Sequence, residues 1–356
     1  MQKLKPSYNI SWSGQERHLD RQIERCPFCQ SHQIIKRGRR HAKHESIQLY
    51  LCKDCGKTFT PKILGGKQYP LKAIFDGLSY YNLGHSKADS VKLIAAKHGY
   101  RVSKNTLTNW IKEFEPLCRY SRLRPKIYQH CNPQELIQTT VLNHQQVYHF
   151  RYHPEKFKML VVKEPFKLLR YEGLLHYFES VSEDYPHHYF RTNRRSSQTK
   201  AVFDFGQMQV LRKENHATQL AGLILQAVTD NRQRHESIQQ FMLVNDSVTV
   251  AMETPIYLTP EDLNHFQEKL KFRIPFKIDR VLTGHIDLLQ LNNGLVHILD
   301  YKPKANKEKP YAQLLIYALA LSRLTGLRLM DFKCAWFDEN DYFEFFPLHL
   351  IHKLPR

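Results

Sequence analysis

A chain of 356 residues has room for two or three domains and a sizeable core. It holds no run of about 18 uncharged apolar residues, which excludes a membrane-spanning helix. Its start, Met1-Gln2-Lys3-Leu4-Lys5-Pro6, lacks the apolar core of a secretory signal. The formal net charge of +19 is unevenly placed: residues 1–130 carry 25 Lys and Arg against 9 Asp and Glu, the remainder 28 against 25. That asymmetry implies a polyanionic partner for the N-terminal third. Seven cysteines, four of them in two Cys-x-x-Cys pairs, suit metal binding in a reducing compartment better than disulfides, so a cytoplasmic location is expected.

The pairs are Cys26-Pro27-Phe28-Cys29 and Cys52-Lys53-Asp54-Cys55. The 22 residues between them slightly exceed the usual spacer of about 15–20. Two such knuckles close a tetrahedral Zn²⁺ site, and four thiolates leave no open position, so this zinc is expected to be structural. A redox role would need only one pair. Gln33–Arg37, Ile47–Leu51 and Lys57–Thr60 read as strands, with Arg37, Arg39 and Arg40 expected at the turn as DNA contacts. Residues 22–64 thus read as a zinc ribbon.

From residue 67 to 116 the pattern is helical. Tyr69–Asn82 carries Leu71, Ile74, Phe75, Leu78 and Tyr81 at helical spacing. Ser86 caps a second helix ending at His98, Gly99-Tyr100 forms a turn, and Ser103 caps a third helix, Lys104–Phe114. Helix, glycine turn and capped helix make a helix-turn-helix signature. Its last helix would enter the major groove N-terminus first, presenting Lys104, Asn105, Thr106 and Thr108. A plain three-helix packing module shares the pattern; the flanking charge favours DNA. Cys26-Pro27-x-Cys29, Leu51-Cys52-Lys53-Asp54-Cys55-Gly56-Lys57-Thr58-Phe59 and Thr106-Leu107-Thr108-Asn109-Trp110 together resemble the N-terminal region of insertion-sequence transposases, over roughly residues 22–116. Those enzymes usually continue into an RNase H-like catalytic domain, which the carboxylates further along this chain do not match.

Residues 117–204 read as a basic and aromatic linker region without a definite fold. Arg119–Lys126 is a basic link, Val147–Tyr152 alternates like a strand, and Met159–Val162 could pair with it. Tyr185–Arg191 and Arg194–Ser197 mix aromatics with cations, suited either to nucleic acid or to an ordinary core edge with a charged loop.

Residues 205–345 carry the chemistry. His297–Lys302 is a short apolar strand whose period of two points Asp300 and Lys302 the same way. Asp287 ends another such stretch, and the Asn292-Asn293-Gly294 turn between them signals a hairpin that would bring Asp287 beside Asp300. Mg²⁺ takes one or two carboxylates and leaves its other positions to water and phosphate. Pro310–Thr325 reads as a helix with Gln313 and Tyr317 on one face. An isolated Asp-x-Lys pair is usually a solvated strand face, but the whole order Gly284-x-x-Asp287, Asp300-Tyr301-Lys302, Gln313-x-x-x-Tyr317 resembles the RecB-type branch of the PD-(D/E)xK nucleases.

That resemblance implies that Asp287 and Asp300 bind Mg²⁺ or Mn²⁺, that Lys302 assists the attacking water, and that Gln313 and Tyr317 support the site or touch DNA. It also implies a histidine or glutamate on an early helix, for which His216 is the candidate, and a strand glutamate, for which Glu253 is. Several relatives hold an iron–sulfur cluster on four cysteines. Only Cys118, Cys131 and Cys334 lie outside the ribbon here, so no cluster is expected. A Walker-type phosphate loop is absent too.

The reading is a multidomain α/β protein: zinc ribbon, helix-turn-helix, then a restriction-endonuclease-like α/β domain with a mixed central sheet. The expected activity is metal-dependent DNA hydrolysis in transposition, foreign-DNA defence or DNA processing. Partners would be DNA, a second copy of the chain, or other mobile-element or defence proteins, and no membrane. A non-cleaving DNA-binding regulator and a transposase proper are the alternatives.

Overall fold

The computed structural model describes residues 25–41, 46–60, 67–118, 120, 124–125, 132–162, 168–181, 185–192, 194–198, 210–228, 230, 233–274 and 276–351. Cys131, most of the Arg119–Lys126 link and the Gly65-Gly66 pair fall outside them.

The first unit is a three-stranded antiparallel sheet, β1 (Ile34–His41), β2 (Ser46–Cys52) and β3 (Thr58–Phe59). Its core is small: Cys26, Tyr50, Cys52 and Phe59, with Ile34 and Cys55 packed against them. Arg37, Arg39 and Arg40 do not sit at the turn as expected. They lie exposed along β1, which runs on to His41 past an irregularity between Lys36 and Arg39 where Gly38 has φ of 83°. A left-handed glycine lets the strand bulge and continue.

Three helices follow: α1 (Leu71–Asn82), α2 (Lys87–His98) and α3 (Lys104–Phe114). Both expected caps form, Ser86 accepting from Asp89 N and Ser103 from Thr106 N. Gly99 ends α2 in the left-handed conformation, φ 72°. α1 presses closely on its neighbours: a Cβ on Gly77 would lie 2.8 Å from Ile94 and 3.2 Å from Leu107. Buried Asp76 meets Lys97 at 2.8 Å and His98 at 2.6 Å, joining α1 to α2.

The rest is one nine-stranded mixed sheet. It comprises β4 (Gln138–His144), β5 (Gln146–Tyr152), β6 (Arg194–Arg195), β7 (Leu211–Arg212), β8 (Thr249–Leu258), β9 (Leu282–Asn292), β10 (Leu295–Tyr301), β11 (Phe332–Phe337) and β12 (Tyr342–Phe345). Its spatial order is β4-β5-β8-β9-β10-β11-β12-β7, with β6 beside β9. Among the described residues only the β10–β11 and β6–β9 pairs are parallel. Helices α4 (Pro154–Val162), α5 (Leu168–Ser180), α6 (His188–Thr192), α7 (His216–Ile224), α8 (Arg234–Asn245), α9 (Pro260–Asn264), α10 (Tyr311–Thr325) and α11 (Leu348–Ile351) connect and cover it. α5 and α10 share a core with Ile286, Val296 and Ile298, whereas α7 and α8 share another with Leu288, Leu299 and Tyr301. Because strand side chains alternate faces, β10 feeds both layers.

Two features of the middle region depart from the expectation. Met159–Val162 is not a strand but the end of α4, with Phe157 and Val161 buried one turn apart. Proline is well placed in a first helical turn, and Pro154 begins this one. β5 instead pairs with β4 through Gln145, at φ 63°, and with β8 at Arg151–Met252. The region therefore extends the large sheet.

α1 also belongs to that larger body. Asn82 Nδ2 donates to Asn245 Oδ1 at 2.7 Å, Asn245 Nδ2 donates to Ser79 Oγ at 2.9 Å, and Phe75 meets Phe241 edge-on at 5.4 Å. A fully buried amide needs such partners. The three-helix unit and α8 thus share one core.

Candidate active site

β9 and β10 form the expected hairpin. Asn293 and Gly294 turn it with φ of 50° and 69°, the doubly left-handed loop that matches strand twist. Pairing runs from Leu295–Asn292 to Leu299–Leu288 and then stops, while β10 stays paired with β11 through Asp300–Trp336 and Tyr301–Phe337. The strands therefore part at Asp287 and Asp300. In the opening, Tyr301 N donates to Asp287 Oδ2 at 2.9 Å rather than to a strand carbonyl. Lys302, just past the strand, sets its Nζ 2.8 Å from Asp300 Oδ2.

Glu253 joins them from β8. The ladder pairs Met252 with Leu288 and Thr254 with Ile286, which sets Glu253 opposite Asp287. It sits at φ 51°, a conformation costing a non-glycine residue about 1–3 kcal/mol and found most often at functional sites. Gln239 Nε2, on α8, holds Glu253 Oε1 at 2.8 Å.

The electrostatics follow from buried Asp300 and half-buried Glu253 and Asp287 sharing one ammonium. Burial and then the Asp287 charge push Glu253 up to about 8 and Asp300 up to about 7. Burial also raises Asp287, against the pull of Lys302 and the Tyr301 N–H. Burial works against the Lys302 charge, yet Asp300 and Asp287 hold it above its ordinary value. Such a set is short of positive charge, and hard oxygen donors around a cation deficit fit a divalent ion such as Mg²⁺ or Mn²⁺.

α10 supplies the far wall. Gln313 Nε2 donates to Tyr317 OH at 2.8 Å. Burial and then the Asp300 charge raise the Tyr317 phenol, so it stays protonated. Gly284 makes room for this ring: a Cβ there would fall 2.5 Å from Tyr317 Cε1 and 2.8 Å from Ser196 Oγ.

His216 opens α7, and among the described residues no hydrogen bond or ion pair joins it to the carboxylates; its Nε2 is buried without a hydrogen-bond partner. The early-helix histidine at the site is His235 on α8, whose Nδ1 lies 3.8 Å from Asp287 Oδ2. Burial lowers its pKa, partly countered by Asp300. Sequence reasoning passed over it. The available signal was that His235 and Gln239 fall four residues apart, on one face of a helix. Tyr148 was also missed; its ring stacks on His285 at 3.6 Å with the Arg195 guanidinium 5.9 Å away.

At the N-terminal end, the sulfurs of Cys26, Cys29, Cys52 and Cys55 lie within 4.8 Å of one another, a set that could bind zinc and is consistent with a zinc ribbon. Lys104 and Asn105 stand exposed at the start of α3. The hydroxyls of Thr106 and Thr108 are engaged locally, with Ser103 Oγ at 2.8 Å and Lys104 O at 2.9 Å. Cys118 and Cys334 are buried in separate cores. No helix among the described residues is long and apolar enough to cross a membrane.

A mixed sheet whose hairpin strands part around paired carboxylates and a lysine defines a restriction-endonuclease-like fold. Residues 194–340 match the PD-(D/E)XK nuclease superfamily, and this segment is a domain of that superfamily. The match spans β6 to β11 and takes in Glu253, Asp287, Asp300, Lys302, Gln313 and Tyr317. A search of curated proteins finds no match, and neither does a search of solved structures.

Proposed function

We propose that this protein is a cytoplasmic, Mg²⁺- or Mn²⁺-dependent deoxyribonuclease. In this reading the zinc ribbon and helix-turn-helix hold DNA for the nuclease domain, in mobile-element processing or defence against foreign DNA. The observation that carries it is the meeting of Glu253, Asp287, Asp300 and Lys302 where β9 and β10 part, inside the superfamily segment.

Asp287, Asp300 and Glu253 would hold the metal, which supplies Lewis acidity toward a phosphate and lowers the pKa of water. Lys302, held by Asp300, is placed to orient the attacking water and to balance charge developing on phosphorus. His235, beside Asp287, is placed to accept or pass a proton at Nδ1. Gln313 and Gly284 fix the Tyr317 ring, which closes the wall behind Asp300.

The test is digestion of linear, circular and single-stranded DNA with and without Mg²⁺. Asp300→Ala should lower metal-dependent cleavage on the order of 10³-fold, the equivalent of several kcal/mol of transition-state stabilisation. Duplex binding should be retained. Undiminished cleavage by this variant would sink the assignment, and absence of cleavage by the unaltered protein would favour a non-cleaving DNA-binding regulator.

A further inference from the structure

The loop between Lys302 and α10 carries Lys304, Lys307 and Lys309, all exposed, with Glu308 as its one acidic residue. This is a local excess in a part of the chain whose charges nearly cancel, 28 Lys and Arg against 25 Asp and Glu over residues 131–356. The loop is not a loose tether. Ala305 is buried, its N–H donating to Asp338 Oδ2 at 2.8 Å and its carbonyl accepting from Trp336 Nε1 at 2.9 Å. Lys307 N and Glu308 N both donate to Lys304 O, at 2.9 and 3.2 Å, closing a helical turn over that anchor.

Its position is set at both ends by the active site. It leaves Lys302, paired with Asp300, and enters the helix bearing Gln313 and Tyr317. Glu308 acts on both Lys302 and His235, so the loop borders the carboxylates. Three exposed lysines thus sit on an anchored turn between Lys302 and the Gln313 helix, next to the carboxylates. Lysine binds phosphate as a point charge without reading bases.

We propose that Lys304, Lys307 and Lys309 form a phosphate-binding rim that holds the nucleic-acid backbone flanking the scissile bond, independent of base sequence. The proposal rests on the nuclease reading for its substrate class. It is tested with the full-length protein by comparing the unaltered chain with the variant Lys304→Ala, Lys307→Ala, Lys309→Ala. Binding of a short duplex would be measured across a salt series without added Mg²⁺ and without chelator, so that the ribbon keeps its zinc, and cleavage kinetics with Mg²⁺.

Each phosphate contact contributes about 0.9 to the slope of log K against log salt, so losing three should flatten the slope by roughly 2 to 3. KM for DNA should rise severalfold with kcat changed by less than twofold, because the catalytic lysine in this reading is Lys302, which the variant keeps. An unchanged slope together with an unchanged KM would overturn the rim. Should the unaltered protein fail to cleave while the slope flattens as expected, the rim stands and the nuclease reading falls.

Discussion

The chain gathers potential metal ligands in two regions by opposite means. In the N-terminal sheet four thiols converge around a core of barely half a dozen side chains, too small to hold the strands by burial alone. In the superfamily domain the carboxyls sit at the edge of two extensive cores that force like charges together. Under the proposed reading, metal makes the fold in the first region, and the fold makes the metal site in the second. The first can be closed because it only binds. The second must keep an open side for phosphate.

The sharpest way to break this contrast is to remove one thiol. Cys52→Ser, or a strong chelator, should unfold the ribbon, since structural zinc supplies about 10 kcal/mol or more to small domains of this kind. Limited proteolysis should then cut within residues 26–59 while the larger cores stay resistant. Cleavage of the whole chain at comparable rates would contradict a ribbon core separate from the larger ones.

The next effect is smaller. His235→Ala should lower cleavage roughly 10- to 100-fold, as loss of groups orienting metal ligands commonly does. His216→Ala should change it less than twofold. Equal losses in the two variants would refute the assignment of the helical histidine.

The pH dependence follows from the direction of the carboxyl shifts. Metal binds the ionised form, and Asp300 and Glu253 are pushed up to about 7 and about 8. As pH falls through that window protons compete with the cation, so the Mg²⁺ concentration for half-maximal cleavage should rise by up to about tenfold per pH unit for each group. Saturating Mg²⁺ should restore the rate. Half-saturation values that agree between pH 6 and pH 8 would count against the raised carboxyls.

The smallest expected change is at Gly284→Ala, whose new methyl would displace Tyr317 or Ser196. Overpacking of this kind costs about 1–3 kcal/mol. A lower melting temperature with reduced kcat is expected. A variant as stable and active as the parent would show that the Tyr317 wall is free to move.

The parts of the protein legible in its sequence are those built from neighbours along the chain. The Cys-x-x-Cys pairs, the Ser86 and Ser103 caps and the Asn293-Gly294 hairpin are decided within a few residues, by ligand geometry, by orphan N–H groups at helix starts and by the need for positive φ. Asp287, Asp300 and Lys302 share one hairpin, so strand periodicity was enough to join them. The middle region was not legible, because β4 and β5 earn their place in the sheet from β8, a hundred residues further on.

Glu253 and His235 mark the same boundary inside the site. Sequence could name acids and imidazoles of the right type, and it named His216 as readily as any. Which of them reaches Asp287 was decided by the packing of α8 across the sheet and by a left-handed residue within β8. The merging of α1 with α8 through Asn82 and Asn245 was likewise invisible locally. Sequence alone determined the chemistry on offer, because side-chain type and short-range geometry are properties of the chain. Tertiary structure alone decided which groups meet, because burial and like-charge crowding exist only where distant segments pack together.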